Sequence, residues 1–284
     1  MSKGAPLLTC QISVDYPNHP GALRNVCFQI HSGEILGLVG ESGSGKSTVA
    51  LALLRLLSMK GATVSGEIIF EGEDLLNKPE TQLRSVRGRR MSIVLQSPVS
   101  SLNPALRIGT QLNEAWQAHA EGTIEDCELS VRAALRSAQL PFDQEFLRRR
   151  PSQLSVGQAQ RVCIAMAILH RPALLIADEA TSALDTITQS EVLDLFAHLN
   201  RELRMAILYI SHDLLSVSAI CDRVAILHSG EILESGPTEE IFASPKHPYT
   251  QRLLGAIRMP QVRKPAKYLA DEDSVMSTPY AVKS

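Results

Sequence analysis

The chain carries no uninterrupted run of about 18 apolar residues, so no segment reads as a membrane-spanning helix. If the protein works at a membrane, another molecule must hold it there. Its first residues, MSKGAPLLTCQ, lack the apolar stretch of a secretory leader. No C-x-x-C pair occurs, and the five cysteines, Cys10, Cys27, Cys127, Cys163 and Cys221, are scattered. Neither a zinc site nor a dithiol redox pair is signalled. An odd cysteine count without a leader suits a reducing compartment. An excess of one charge is missing too: across 284 residues, 28 Lys and Arg meet 30 Asp and Glu. That near balance gives no electrostatic basis for bulk binding to nucleic acid. There is no internal repeat.

What the chain does have is an alternation of short apolar runs and helical stretches. Residues 7–15 and 21–30 read as strands. So do 34–39, 64–72, 91–95, 173–177, 205–210 and 223–227. Helices are expected over 47–58, from Ser155 to Ala167, and from Thr186 to Leu203. Residues 106–150 are helix-like, with periodic stretches, and a short helix begins at Thr238. Continuous apolar strands alternating with helices indicate an α/β fold with a parallel sheet covered on both faces. The helical stretch 97–160 sits inside that alternation as an insertion. Residues 261–284 are polar and aperiodic, the expected signature of a loose tail.

The strand at 34–39 runs directly into Gly40, Glu41, Ser42, Gly43, Ser44, Gly45, Lys46 and Ser47, and Thr48 continues into a helix-forming run. This is G-x-x-x-x-G-K-[ST] between a buried strand and a helix, the context in which the pattern means phosphate binding. Glycines let the backbone curl until several N–H groups face one point, and the helix N-terminus adds positive potential. Lys46 can reach the β- and γ-phosphates of a nucleotide, and the Ser47 hydroxyl can bind Mg²⁺.

Further residues stand at strand ends, where open α/β sheets bind ligands. Leu174-Leu-Ile-Ala ends in Asp178 and Glu179. Asp178 can hold the Mg²⁺ shell, and Glu179 can orient and polarise a water for attack on a γ-phosphate. Gln96 ends the strand 91–95, where a neutral amide can ligate Mg²⁺ or the attacking water. His212, after the strand 205–210, can donate a hydrogen bond to the γ-phosphate. Leu154-Ser-Val-Gly-Gln opens a helix with Ser155 as N-cap, a second anion-seeking N-terminus. Two phosphate-seeking loops and one nucleotide suggest a site shared between two copies.

These motifs, in this order, resemble the ATP-binding-cassette (ABC) ATPases over roughly residues 7–255. The resemblance implies a P-loop NTPase core of the RecA-like kind, an N-terminal antiparallel β layer and an inserted helical subdomain, all within about residues 1–260. It implies ATP and Mg²⁺ as ligands and a head-to-tail dimer of two cassettes, identical or paralogous. In that dimer Ser155, Gly157 and Gln158 would contact the partner's nucleotide, and Asp185 of Ser182-Ala-Leu-Asp would sit on the dimer seam. Tyr16 would stack on adenine. Leu95-Gln-Ser-Pro-Val-Ser-Ser-Leu-Asn-Pro and Ser244-Pro-Lys-His-Pro-Tyr-Thr resemble the oligopeptide, dipeptide and nickel importer subfamily. That narrower resemblance implies two membrane permease subunits, an extracytoplasmic solute-binding protein, no nucleic acid, and a place on the cytoplasmic face of the inner membrane.

Two departures stand out. Val156 replaces the first glycine of the usual Leu-Ser-Gly-Gly-Gln, at a helical φ that valine tolerates. Many peptide-importer ATPases carry a C-terminal cysteine cluster, whereas here Cys221 is the last cysteine, so no iron–sulfur cluster is expected. Two other readings stand beside the importer ATPase: a weakly active regulatory cassette of a heterodimer, and a soluble ABC ATPase outside transport.

Overall fold

The computed structural model describes residues 4–120 and 122–256. The tail expected over 261–284 lies outside the described residues. Ten strands are present among them. In chain order they are β1 (Leu8–Tyr16), β2 (His19–Ile30), β3 (Ile35–Val39), β4 (Thr63–Phe70), β5 (Glu73–Asp74), β6 (Met91–Val94), β7 (Leu174–Asp178), β8 (Ala206–Ser211), β9 (Arg223–His228) and β10 (Glu231–Pro237).

They form two sheets, an antiparallel one in the order β2-β1-β4-β5 and a larger one in the order β10-β9-β3-β8-β7-β6. Within the larger sheet β9, β3, β8, β7 and β6 run parallel, and β10 pairs antiparallel with β9 at one edge.

The central strands are buried along their whole length because both of their faces are covered. Leu36 and Leu38 of β3, Leu174 and Ile176 of β7, and Leu208 and Ile210 of β8 pack towards the antiparallel sheet and the helix Lys46–Leu53. The alternate residues, Ile35, Val39, Leu175, Ala177, Ile207 and Tyr209, enter a second core beneath the remaining helices. The strand period of two thus divides one sequence run between two cores.

The expected helix 47–58 ends early, at Leu53. The carbonyls just past its end are captured from outside: Arg87 Nε donates to the Leu54 carbonyl at 2.6 Å, and Arg87 Nη2 to that of Arg55 at 3.2 Å. Arg55 adopts φ +55° and sends its guanidinium to the carbonyl of Leu75 at 2.6 Å. A short 3₁₀ turn, Leu57–Lys60, follows.

Between β6 and β7 lie the helices Pro98–Ser101, Ile108–Gln117, Ile124–Ser137, Gln144–Arg148 and Val156–Ile168. Side-chain caps set two of the breaks in the helical stretch. Thr123 and Asp126 form a reciprocal capping box, and Asp143 accepts from the Phe146 N–H at 2.7 Å. Arg161, buried in the helix Val156–Ile168, ties this region to the core. Its Nη1 donates to Gln139 at 2.6 Å, and its Nη2 pairs with Glu191 of the helix Thr186–Leu203 at 3.0 Å.

Candidate active site

Parallel strands bring their C-terminal ends to one edge of the sheet. The loop after β3, the acidic pair ending β7 and the histidine after β8 therefore converge. In the loop, Gly45 takes φ +108° and starts the helix Lys46–Leu53, a conformation closed to side chains with a Cβ. Lys46 is 4% exposed. Its Nζ donates to the carbonyls of Gly40 at 2.8 Å and Glu41 at 2.9 Å. Burial pulls its pKa down, against the charges of Glu179 and Asp178 that pull it up.

The Ser47 hydroxyl donates to Asp178 Oδ1 at 3.2 Å. Burial raises the Asp178 pKa, the Ser47 hydrogen bond lowers it, and the neighbouring Glu179 charge raises it further. A buried carboxylate beside a hydroxyl is a set of hard oxygen donors, and it fits a small divalent cation that would offset the carboxylate charge.

Glu179 occupies the left-handed region at φ +49°, just past the end of β7. Its N–H donates to the Ile210 carbonyl of β8 at 3.0 Å, which pins the turn. The turn aims the carboxylate between two cations or donors. Oε1 lies 3.8 Å from Lys46 Nζ and 3.4 Å from His212 Nδ1. Gln96 lies exposed beyond the end of β6 and shares none of the hydrogen bonds of this cluster.

Tyr16, at the end of β1, reaches the first turn of the helix Lys46–Leu53 from the antiparallel sheet, with its hydroxyl 3.5 Å from Thr48 Oγ1. It is half-buried against the core shared by the two sheets.

Ser155 caps the helix Val156–Ile168 and is reciprocally bonded to Gln158. Its Oγ accepts from Gln158 N at 3.1 Å, and its N–H donates to Gln158 Oε1 at 3.2 Å. A Cβ on Gly157 would stand 2.6 Å from Thr188 Cγ2, so this glycine allows the two helix starts to touch. Thr188 in turn donates to Asp185 Oδ2 at 2.7 Å, and Asp185 caps the helix Thr186–Leu203. These bonds, from Thr188 first, hold the Asp185 pKa below the usual carboxylate range. Ser155, Gly157 and Asp185 thus form one interlocked corner, which shares no hydrogen bond with Lys46, Glu179 or His212. Val156 is 46% exposed and takes no part in that packing.

A buried hydroxyl network behind the site was not anticipated. The Tyr209 hydroxyl lies 2.9 Å from Thr181 Oγ1 and donates to Ser216 Oγ at 3.1 Å, and the Ser211 hydroxyl accepts from the Asp213 N–H at 3.0 Å. It joins the turn after Glu179 to the loop that carries His212. The available signal was a tyrosine within an aliphatic strand run, since a buried phenol needs a partner.

Fold and site together define a P-loop ATPase of the cassette kind. The comparisons with known proteins agree. The family model "ABC transporter" matches residues 23–182, and "Oligopeptide/dipeptide transporter, C-terminal region" matches residues 233–278. The chain belongs to the ABC transporter family. It is 43% identical over 242 residues to the Glutathione import ATP-binding protein GsiA of Shigella dysenteriae serotype 1 (strain Sd197), covering 83% of this chain and 39% of that protein. The GsiA of Escherichia coli O1:K1 / APEC is 42% identical over the same length. The chain therefore spans about two fifths of the length of these curated relatives.

Among solved structures, cbiO1 from Clostridium perfringens superposes with a TM-score of 0.73 at 26% identity, over 84% of this chain and 91% of that one. That protein is described as part of the ABC transporter complex cbiONQ. The cassette MJ0796, described as a dimer in a post-hydrolysis state bound to ADP and Pi, gives 0.68 at 25% identity over 81% and 98%.

Proposed function

We propose that this chain is the ATP-hydrolysing subunit of an ABC importer for peptides, nickel or a metal–chelate complex, with glutathione-like peptides included by the similarity to GsiA. The observation that carries the reading is Glu179, whose carboxylate stands 3.8 Å from the P-loop lysine and 3.4 Å from His212. Lys46 faces the β- and γ-phosphates, Glu179 holds and polarises the attacking water, and His212 donates a hydrogen bond to the transferring phosphoryl group. Catalysis of this kind is mainly positioning and electrostatic stabilisation. Ser47 and Asp178, with Gln96, would hold Mg²⁺, which neutralises phosphate charge when bound. Tyr16 would stack on adenine.

A second cassette, identical or paralogous, completes the site. In this reading ATP lies between the P-loop of one chain and Ser155, Gly157 and Gln158 of the other, with Asp185 on the seam. ATP binding closes the pair, and hydrolysis with phosphate loss reopens it. The cassette spans about residues 1–260, with the helical subdomain inserted near 97–160. Two permease subunits hold it at the cytoplasmic face of the inner membrane, and a solute-binding protein delivers the cargo to them. The apposition of Glu179 and His212 favours an active cassette over a regulatory one, and the match to the peptide-transporter C-terminal region favours transport over a soluble role.

The test is Glu179→Gln, which keeps shape and hydrogen bonding but removes the charge that polarises water. ATP turnover is expected to fall by at least about a hundredfold, the usual scale of a general-base contribution. Nucleotide binding should persist, and an ATP-bound dimer should accumulate in size-exclusion chromatography with light scattering. Near-normal turnover would remove Glu179 from its role and the active-cassette reading with it.

A further inference from the structure

We propose that the helix Pro248–Gly255 sets the nucleotide affinity of the P-loop, with Tyr249 as the positioning residue that connects the two. The inference rests on the reading of residues 40–47 as the nucleotide site and adds a control element to it.

The β9–β10 hairpin runs directly against the P-loop. Gly40 lies so close to the Leu227 carbonyl that a Cβ there would collide with it. In the turn of the hairpin, the Gly230 N–H donates to the Ser44 carbonyl at 3.1 Å. The C-terminal helix is fastened to this same hairpin. Glu234 of β10 accepts from the backbone N–H groups of Lys246 at 2.8 Å and His247 at 3.0 Å, fixing the turn that leads into the helix. His247 then caps the helix, its Nδ1 accepting from the Tyr249 N–H at 3.1 Å.

Tyr249 bridges the two parts. It is 6% exposed, and its ring stacks on His228 at the end of β9 with centroids 3.9 Å apart and planes 33° from parallel. Its hydroxyl is buried near Glu41 and makes no hydrogen bond among the described residues, so the ring, not the hydroxyl, is what ties the helix to β9. Burial, and then the Glu41 charge, hold the phenol above its ordinary pKa. The Glu41 carbonyl is one of the two that accept from Lys46 Nζ, at 2.9 Å. Gly40 and Ser44 are thus restrained from one side of the loop by β9 and the hairpin turn, and Tyr249 braces β9 from behind through His228. A loop whose backbone is held before ligand arrives loses less freedom on binding, and its affinity is higher for that reason. Tyr249 touches none of Glu179, His212 or Asp178, so the chemical step should not depend on it.

The experiment is calorimetric titration of the full-length chain with ADP and with the non-hydrolysable analogue AMP-PNP, alongside steady-state ATPase kinetics. Tyr249→Leu keeps an apolar side chain and removes the stack on His228. It should weaken both nucleotides about three- to tenfold and raise KM by the same factor, with kcat changed less than twofold. In a His228→Leu background, Tyr249→Leu should have no further effect. Glu234→Gln loosens the turn into the helix and should give the same split between KM and kcat, so the test survives if Tyr249→Leu folds poorly. Affinities within twofold of the unsubstituted protein in both variants would overturn the inference. So would an undiminished effect of Tyr249→Leu without His228, or parallel losses in kcat and melting temperature, the mark of a merely structural role. Failure of the unsubstituted chain to bind ADP would instead remove the nucleotide site itself, and this inference with it.

Discussion

Glu179 holds a left-handed backbone that costs a residue with a Cβ about 1–2 kcal/mol. The strain is offset by the bond from its N–H to Ile210, and it turns the carboxylate toward Lys46 and His212. The acidic pair at the end of a strand was legible in the sequence, but this backbone conformation was not, because no residue type announces it. Val156 is the opposite case, conspicuous in the sequence and quiet in the structure. It replaces a glycine, yet its side chain is 46% exposed and the tight contact with Thr188 belongs to its neighbour Gly157. The Ser155–Gln158 capping box closes around the valine. Val156→Gly should therefore change ATP turnover by less than about tenfold, under about 1.4 kcal/mol in barrier terms. Steady-state turnover of the purified assembly measures this. A rise of a hundredfold or more would mean that the valine impairs the action of Ser155, Gly157 and Gln158 on the partner's nucleotide, and would favour the regulatory-cassette reading.

At the scale of elements, the His119–His170 pair links the helical region to the core. The rings meet edge to face with centroids 5.6 Å apart. Burial holds both imidazoles below their ordinary pKa. The Arg89 charge adds to the effect at His119. At His170 a backbone hydrogen bond to Ala115 opposes it, and the charges of His119 and Arg89 add to it. In the unfolded chain an imidazole titrates at about 6.5. Between the depressed folded values and that point the unfolded chain binds more protons than the folded chain, so stability rises with pH across the window and is lost on acidification. Melting temperature should fall as pH drops from about 7.5 to about 5.5, and less steeply in a His119→Gln, His170→Gln double variant. Equal slopes would remove the pair from that dependence. Neither histidine stood out in the sequence, since the contact joins residues far apart in the chain. Long apolar strands and the capped helices at Ser155 and Thr186 were legible. The edge strand β10, Glu231-Ile-Leu-Glu-Ser-Gly-Pro, was not, because its pattern is mixed and it ends in proline. The short helices Glu80–Val86, Leu214–Ile220 and Pro248–Gly255 were missed for a similar reason: they are too brief for a helical period to show. Strand order also lay beyond the sequence, because pairing is set by contacts across the fold.

Seen whole, the cassette leaves an apolar groove between its core and its helical region. Its volume is about 360 Å³, and Leu54, Met91, Leu95, His119, Cys163 and Met166 are among its lining residues. Leu95 is 45% exposed there, beside Gln96 and close in sequence to Val99, which is 60% exposed. Among the described residues no helix is long and apolar enough to cross a membrane. In the proposed importer a short helix of a permease subunit would seat in this groove. Seating it would bury apolar surface at about 25 cal/mol per Å², and would join the core to the helical region that carries Ser155. A carboxylate placed in the groove would be buried without a partner on docking, a severe penalty for the complex and a mild one for the free chain, where water reaches it. Met166→Glu should thus abolish retention of the chain in washed membranes from cells that also make the permease subunits, while ADP affinity of the purified chain stays within about twofold. Immunoblotting of the membrane fraction and calorimetry give the two readouts. Full retention of the variant would move the docking surface elsewhere on the cassette, and binding of the unsubstituted chain to membranes that lack the permeases would remove the need for a protein partner.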